Sequence, residues 1–113
     1  MQVLYKIIDA AAWADAVSAG VFHGAAIDLR DGYIHLSTGG QAKETARLHF
    51  AGVENLALVA IDESVLAKDL KWEASRGGQL FPHVYGVLDP KHILWAKPLP
   101  WNGATHVFPV EFQ

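Results

Sequence analysis

The run Leu56-Ala57-Leu58-Val59-Ala60-Ile61 carries no polar side chain. Its length is that of a strand, and its lack of alternation suits a central strand buried on both faces. Upstream, Val3 to Ile8 is rich in β-branched and aromatic residues and reads as a first strand. Asp9 ends it as a helix N-cap, a helix follows from about Ala10 to Ala19, and Gly20 supplies the left-handed residue that stops it. Residues 20–32 read as a connecting loop closed by the turn dipeptide Asp31-Gly32, and a strand follows from Tyr33 to Ser37. Thr38-Gly39-Gly40 introduces a second helix, about Gln41 to Phe50, with Ala42, Thr45, Ala46, His49 and Phe50 on one face.

Beyond the central run, Asp62 to Lys68 resembles a short helical turn. Leu70 to Ala74 alternates Leu70, Trp72 and Ala74 against Lys71 and Glu73, a strand with one wet or functional face. Ser75-Arg76-Gly77-Gly78-Gln79 is the most flexible stretch by composition and leads into Phe81-Pro82-His83, which makes it a candidate lid. Asp89-Pro90 marks a turn before a strand from His92 to Lys97, and Asn102-Gly103 predicts a tight hairpin that returns Val107 to Phe112 as a last strand. Two main helices and about six strands, only some of them joined by helices, predict an α+β fold with a mixed or antiparallel sheet rather than a doubly wound parallel one.

With 113 residues and 12.3 kDa, the chain has room for one core, so residues 1–113 are expected to form a single domain. A hydrophobic share of 51% with 19% charged residues is that of an ordinary globule, and no apolar run approaches the ~20 residues of a bilayer-spanning helix. Net charge −3, with nine Lys and Arg scattered along the chain, argues against a nucleic-acid partner, because phosphate binding needs a basic stripe. The absence of cysteine excludes disulfides, thiol nucleophiles and cysteine-ligated metals. Met1 to Lys6 lacks the basic region, apolar stretch and cleavage site of a secretory signal, so a cytoplasmic location is expected.

Chemistry-bearing residues gather on two short extended segments, Gly32-Tyr33-Ile34-His35-Leu36-Ser37 and Phe81-Pro82-His83-Val84-Tyr85-Gly86. Strand alternation puts Tyr33, His35 and Ser37 on one face of the first, and Phe81, His83 and Tyr85 on one face of the second. Imidazole is a donor, acceptor or general acid–base near neutral pH, and Pro82 places its segment at a strand start or sheet edge, where sites open. Glu73, next to Trp72, is placed to orient a ribose hydroxyl or to stabilise an oxocarbenium-like centre; its bland alternative is a solvated ion pair with Lys71 or Arg76. Thr38 and Gln41 stand at a helix start, where backbone N–H groups can hold an anion. No Walker or GxGxxG motif occurs, no serine sits in a GxSxG elbow, and no metal-ligand spacing is present, so no metal is expected.

Gly32-Tyr33-Ile34-His35-Leu36-Ser37 with Gln41, then Trp72-Glu73, then Phe81-Pro82-His83-Val84-Tyr85-Gly86 resemble the signature of a bacterial family catalogued as domain of unknown function 952. The resemblance runs from the Leu4-Tyr5-Lys6-Ile7 strand and the Trp13 helix to about residue 97, leaving 98–113 as a tail. It implies a fold similar to the ADP-ribosylation fold, a split and strongly bent mixed sheet with a cleft between its halves. By that likeness His35, Ser37 and Thr38 would shape a pocket for an NAD-like nucleotide, and Glu73 would set up ribose transfer. Tyr5 and Lys6 stand where the first strand of such enzymes carries a nucleotide-anchoring His or Arg.

Two functional readings follow. In one, Glu73, His35 and His83 are catalytic residues in a polar cleft, and Tyr33, Ser37, Thr38, Gln41, Trp72 and Tyr85 bind a nucleotide-like small molecule. In the other, the same cleft is a non-catalytic module that recognises a ligand or peptide. A third, structural reading makes the histidines and Glu73 a buried hydrogen-bond network.

Overall fold

The computed structural model describes residues 2–112, apart from the side chain of residue 76. Strand β1, Val3–Asp9, alternates Leu4, Lys6 and Ile8 with Tyr5 and Ile7, and all five are buried, so both faces of this strand need cover. Helix α1, Ala10–Ala19, supplies part of it through Trp13 and Ala16. The Asp9 carboxylate accepts from the Ala12 amide at 3.0 Å, and Gly20 ends the helix at φ +80°, as the sequence predicts.

The predicted loop 20–32 contains a further helix, α2, Ala26–Asp31. Its apolar residues Ile27 and Leu29 face outward, and its one buried residue is Asp28, whose Oδ2 accepts from the Ala25 amide at 2.8 Å. A helix held by a buried carboxylate leaves no apolar period in the sequence, so pattern reading passes over it.

The predicted strand from Tyr33 to Ser37 is two strands. β2, Ile34–His35, and β3, Ser37–Thr38, lie on either side of Leu36, whose N–H donates to the Pro82 carbonyl at 3.1 Å. After them come α3, Ala42–His49; β4, Leu56–Asp62; β5, Leu70–Ala74; β6, Leu80–Val84; and β7, Trp95–Leu99. A single sheet of about six strands is therefore corrected to two antiparallel sheets among the described residues, in the orders β3-β1-β4-β7 and β2-β6-β5. Three helices stand in place of two, and the fold is α+β.

The Leu56–Ile61 run is central, between β1 and β7. One face of its sheet packs Leu4, Ile8, Ala57, Val59 and Ile61 against α1 and against Ile34 and Val84 of the smaller sheet. The other packs Tyr5, Ile7, Leu58 and Ala60 against Ala42 and Ala46 of α3, with Phe108 and Phe112 from the tail. His49, expected on the inward face of α3, is exposed. β7 begins three residues later than predicted, because Asp89 and Pro90 start a 3-10 turn over Pro90–His92, and the edge position of β7 accommodates Pro98.

The predicted last strand is absent. The Asn102 side chain accepts from the Ala104 and Thr105 amides at 2.9 and 2.8 Å, closing a turn with one bridge between Trp101 and His106. Beyond it Phe112 N–H turns back to the Pro109 carbonyl, so the tail contributes rings to the core instead of a ladder. Among the described residues, no helix is long and apolar enough to cross a membrane.

Candidate functional site

The smaller sheet presents its apolar residues Ile34, Val84 and Leu70 inward. Register then fixes what its opposite face carries. His35 pairs with His83, His83 with Lys71, and Phe81 with Glu73, so these side chains share the outer face. Tyr33 and Tyr85, each two residues along from a paired histidine, extend it.

The rings form one cluster. Tyr33 stacks on His83 at 4.1 Å between centroids and tilts against His35 at 4.6 Å and Tyr85 at 5.2 Å. Lys71 Nζ lies 4.8 Å from the centre of the Tyr85 ring, within cation–π range.

Each histidine is tied to carboxylate. His83 Nδ1 is 2.7 Å from Glu73 Oε1, and the Tyr85 hydroxyl donates to that same oxygen at 2.7 Å. Glu73 Oε2 makes no hydrogen bond among the described residues. The hydrogen bonds from His83 and Tyr85 hold the Glu73 carboxyl below the usual carboxylate range, and the one to Glu73 pushes the Tyr85 phenol up to about 12.

His35 sits between two carboxylates, with Nδ1 2.7 Å from Asp28 Oδ1 and Nε2 3.0 Å from Asp31 Oδ2. A neutral ring donates to one of them at a time, and an imidazolium donates to both. Asp28 also receives the His35 amide at 3.0 Å and the Lys6 ammonium at 2.9 Å. Lys6 Nζ donates further to the His35 carbonyl at 3.0 Å. Burial raises the Asp28 carboxyl, but Lys6 and the hydrogen bonds from Lys6 and His35 outweigh it and hold the group low; burial pulls the Lys6 ammonium down against the pull of Asp28.

Tyr33, His35, Glu73, His83 and Tyr85 thus come together, while the remaining predicted site residues lie elsewhere. Ser37 pairs with Tyr5 in the larger sheet and its hydroxyl bonds Thr45 at 3.0 Å. Gln41 accepts from the Thr38 amide and donates to the Leu80 carbonyl, tying the start of α3 to β6. Trp72 is on the opposite face of β5 from Glu73, 37% exposed, beside a depression of about 430 Å³ that it shares with Gln2, Asp62 and Glu63. Of the two residues at the nucleotide-anchoring position, Lys6 is committed to Asp28 and the His35 carbonyl, and Tyr5 is buried against Trp95 and Phe112. Residue 76, the other cation weighed for Glu73, lies outside the described side chains.

Sequence reading missed Asp28 and Asp31 as site residues and left Lys6 without a partner. The two aspartates are three apart and His35 is four beyond the second, a spacing that acquires meaning only once α2 is known to be helical. Among the described residues no group of three or more His, Asp or Glu is arranged to hold a metal ion.

A two-sheet α+β protein with paired histidines on the outer face of its smaller sheet is the class these observations define. The profile of the family described as "Protein of unknown function (DUF952)" matches residues 7–96, and the chain belongs to that family. It is similar to protein CC0527 from Caulobacter crescentus, whose crystal structure is 44% identical over 93% of each chain with a TM-score of 0.88. The solution structure of CC0527 gives 45% identity over 92% of this chain and 90% of that one, with a TM-score of 0.83. No curated protein matches the chain.

Proposed function

We propose that the outer face of the smaller sheet binds a planar, positively charged ring, such as the nicotinamide end of an NAD-like nucleotide, with Glu73 as the charged contact. One observation carries the reading: His83 and Tyr85 hold a single oxygen of Glu73 and leave Oε2 without a partner among the described residues, on a carboxylate kept ionised beside exposed aromatic surface. Tyr33 and Tyr85 supply π-faces for a cation, and Lys71 stands at the rim for a phosphate. In this reading the fold is ADP-ribosylation-like, which the division of the chain between two sheets at Leu36 supports. Glu73 Oε2 would then stabilise positive charge developing at a ribose carbon as the glycosidic bond breaks, nicotinamide leaving with the bonding pair and water adding to that carbon with loss of a proton to solvent.

A non-catalytic binding module is the second reading. It is favoured by His35, whose two nitrogens are already engaged by Asp28 and Asp31 and so are not free for proton transfer to a ligand. Titration of the protein with NAD and with nicotinamide mononucleotide, followed by NMR, tests both readings. Shifts at Tyr33, Lys71, Glu73 and Tyr85 are expected, and none at any of them would refute nucleotide binding. Release of nicotinamide by the wild type and its loss in Glu73→Gln, with binding retained, separates the enzyme from the module.

A further inference from the structure

On the other side of the larger sheet, α3 and the tail enclose a depression of about 400 Å³ whose walls include Lys43, Arg47, Trp101, His106 and Phe108. His106 is 8% exposed, and its Nε2 lies 2.9 Å from the Val53 carbonyl. A carbonyl oxygen only accepts, so Nε2 carries the hydrogen, and in the neutral ring Nδ1 is left as an acceptor. Nδ1 has no partner among the described residues, yet no fully buried side-chain nitrogen or oxygen among them is unsatisfied, so Nδ1 is reached from outside. His106 is one of the residues that line the depression.

Around this acceptor the walls carry aromatic rings, Lys43 and the Glu44–Arg47 pair. The Trp101 ring meets His106 edge-on at 5.0 Å. Lys43 Nζ lies 5.7 Å from the centres of the Phe108 and Phe112 rings and has no carboxylate partner among the described residues. Arg47 is different, since its guanidinium donates two hydrogen bonds to Glu44 at 2.7 and 2.8 Å. An ammonium without a carboxylate partner among the described residues, two aromatic walls and one accessible acceptor set the chemistry of an occupant.

We infer that this depression binds a small aromatic carboxylate bearing a ring hydroxyl, with the carboxylate on Lys43, the ring against Trp101 and Phe108, and the hydroxyl donating to His106 Nδ1. The site is separate from the Tyr33 cluster, and its failure or success leaves the nucleotide reading untouched.

The test uses the full chain, with 4-hydroxyphenylacetate as probe and phenylacetate as the analogue without a donor, followed by ¹H–¹⁵N NMR. The expected shifts fall on the Trp101 indole and on the amides of Ala46, Arg47, Thr105 and His106. Phenylacetate should bind at least about fivefold more weakly, because it leaves the His106 acceptor unpaired in a partly closed site. Lys43→Gln, a change at an exposed position, should weaken the hydroxylated probe by about fivefold or more. Absence of these shifts at about 10 mM probe, a range that covers millimolar affinity, overturns the site. Equal affinity for the two probes, or an unaltered affinity in Lys43→Gln, overturns the ligand class.

Discussion

His35 and His83 are direct partners in the β2–β6 ladder, their rings 5.6 Å apart edge to face, and each turns its Nδ1 toward a different carboxylate. Asp28, behind His35, is buried and shared with Lys6; Glu73, beside His83, is half-exposed and has one oxygen without a partner among the described residues. The first arrangement anchors the sheet to α2 and β1, and the second is the end at which a ligand is proposed to bind. This division of labour yields measurable differences.

Asp28→Ala should be severely destabilising. It strands the Lys6 ammonium in the core, and it removes the acceptor of the His35 and Ala25 amides. Breaking a buried ion pair from one side costs about 3–5 kcal/mol, so the urea midpoint should fall steeply. Glu73→Gln, at the open end, should leave the midpoint nearly unmoved. Equal losses in the two variants would contradict the assignment of anchor and open site.

The same carboxylate predicts the acid limb of stability. Asp28 in the folded protein is held below its ordinary value of 3.8. Its contribution is therefore fully present above that value and is lost as pH falls through the folded-state value. Melting temperature measured from neutral pH downward should drop below about pH 4, the carboxylate range. In Asp28→Asn that part of the curve should be flatter, and an unchanged slope would assign the acid limb to other groups.

Tyr85 offers a spectroscopic handle on Glu73. Its phenol is raised to about 12 from 10.0, chiefly by the hydrogen bond to Glu73. Ultraviolet titration of the wild type should show one tyrosine ionising well after an ordinary one. Glu73→Gln should bring that step back toward the ordinary value. The raised phenol favours the folded state below pH 10, and this contribution is lost as pH rises from the unfolded-state value of 10.0 through the folded value near 12. A late step that survives in Glu73→Gln would place its cause elsewhere.

Much of this was legible in the chain, for identifiable reasons. β1, α1 and β4 are announced by apolar pattern, the Asp9 cap and Gly20, all local signals. The shared polar-aromatic alternation marks the His35 and His83 segments as walls of one site; that the two residues are direct ladder partners is shown by the structure and does not follow from the alternation. What pattern could not convey was long-range or polar in origin. α2 is built on one buried aspartate, and the break at Leu36 depends on a carbonyl of Pro82 far along the chain. Ser37 looks like a neighbour of His35 by alternation, and it ceases to be one because the chain changes sheets between them.

Tyr33 separates the packing role of the ring cluster from any role of its hydroxyl. Its ring touches His83, His35 and Tyr85, while its hydroxyl makes no hydrogen bond among the described residues. Each aromatic contact is worth about 0.5–1.5 kcal/mol beyond area, and neighbouring contacts do not add fully, so Tyr33→Ala should lose roughly 1–3 kcal/mol. Tyr33→Phe keeps every ring contact and should stay within about 0.5 kcal/mol of wild type. It should also keep most of the late ionisation of Tyr85, which the hydrogen bond to Glu73 chiefly sets and to which Tyr33 adds only the smallest of the causes. Should Tyr33→Phe prove as damaging as Tyr33→Ala, the stack would not be what holds His83 against Glu73, and the hydroxyl would have to be counted as part of the site.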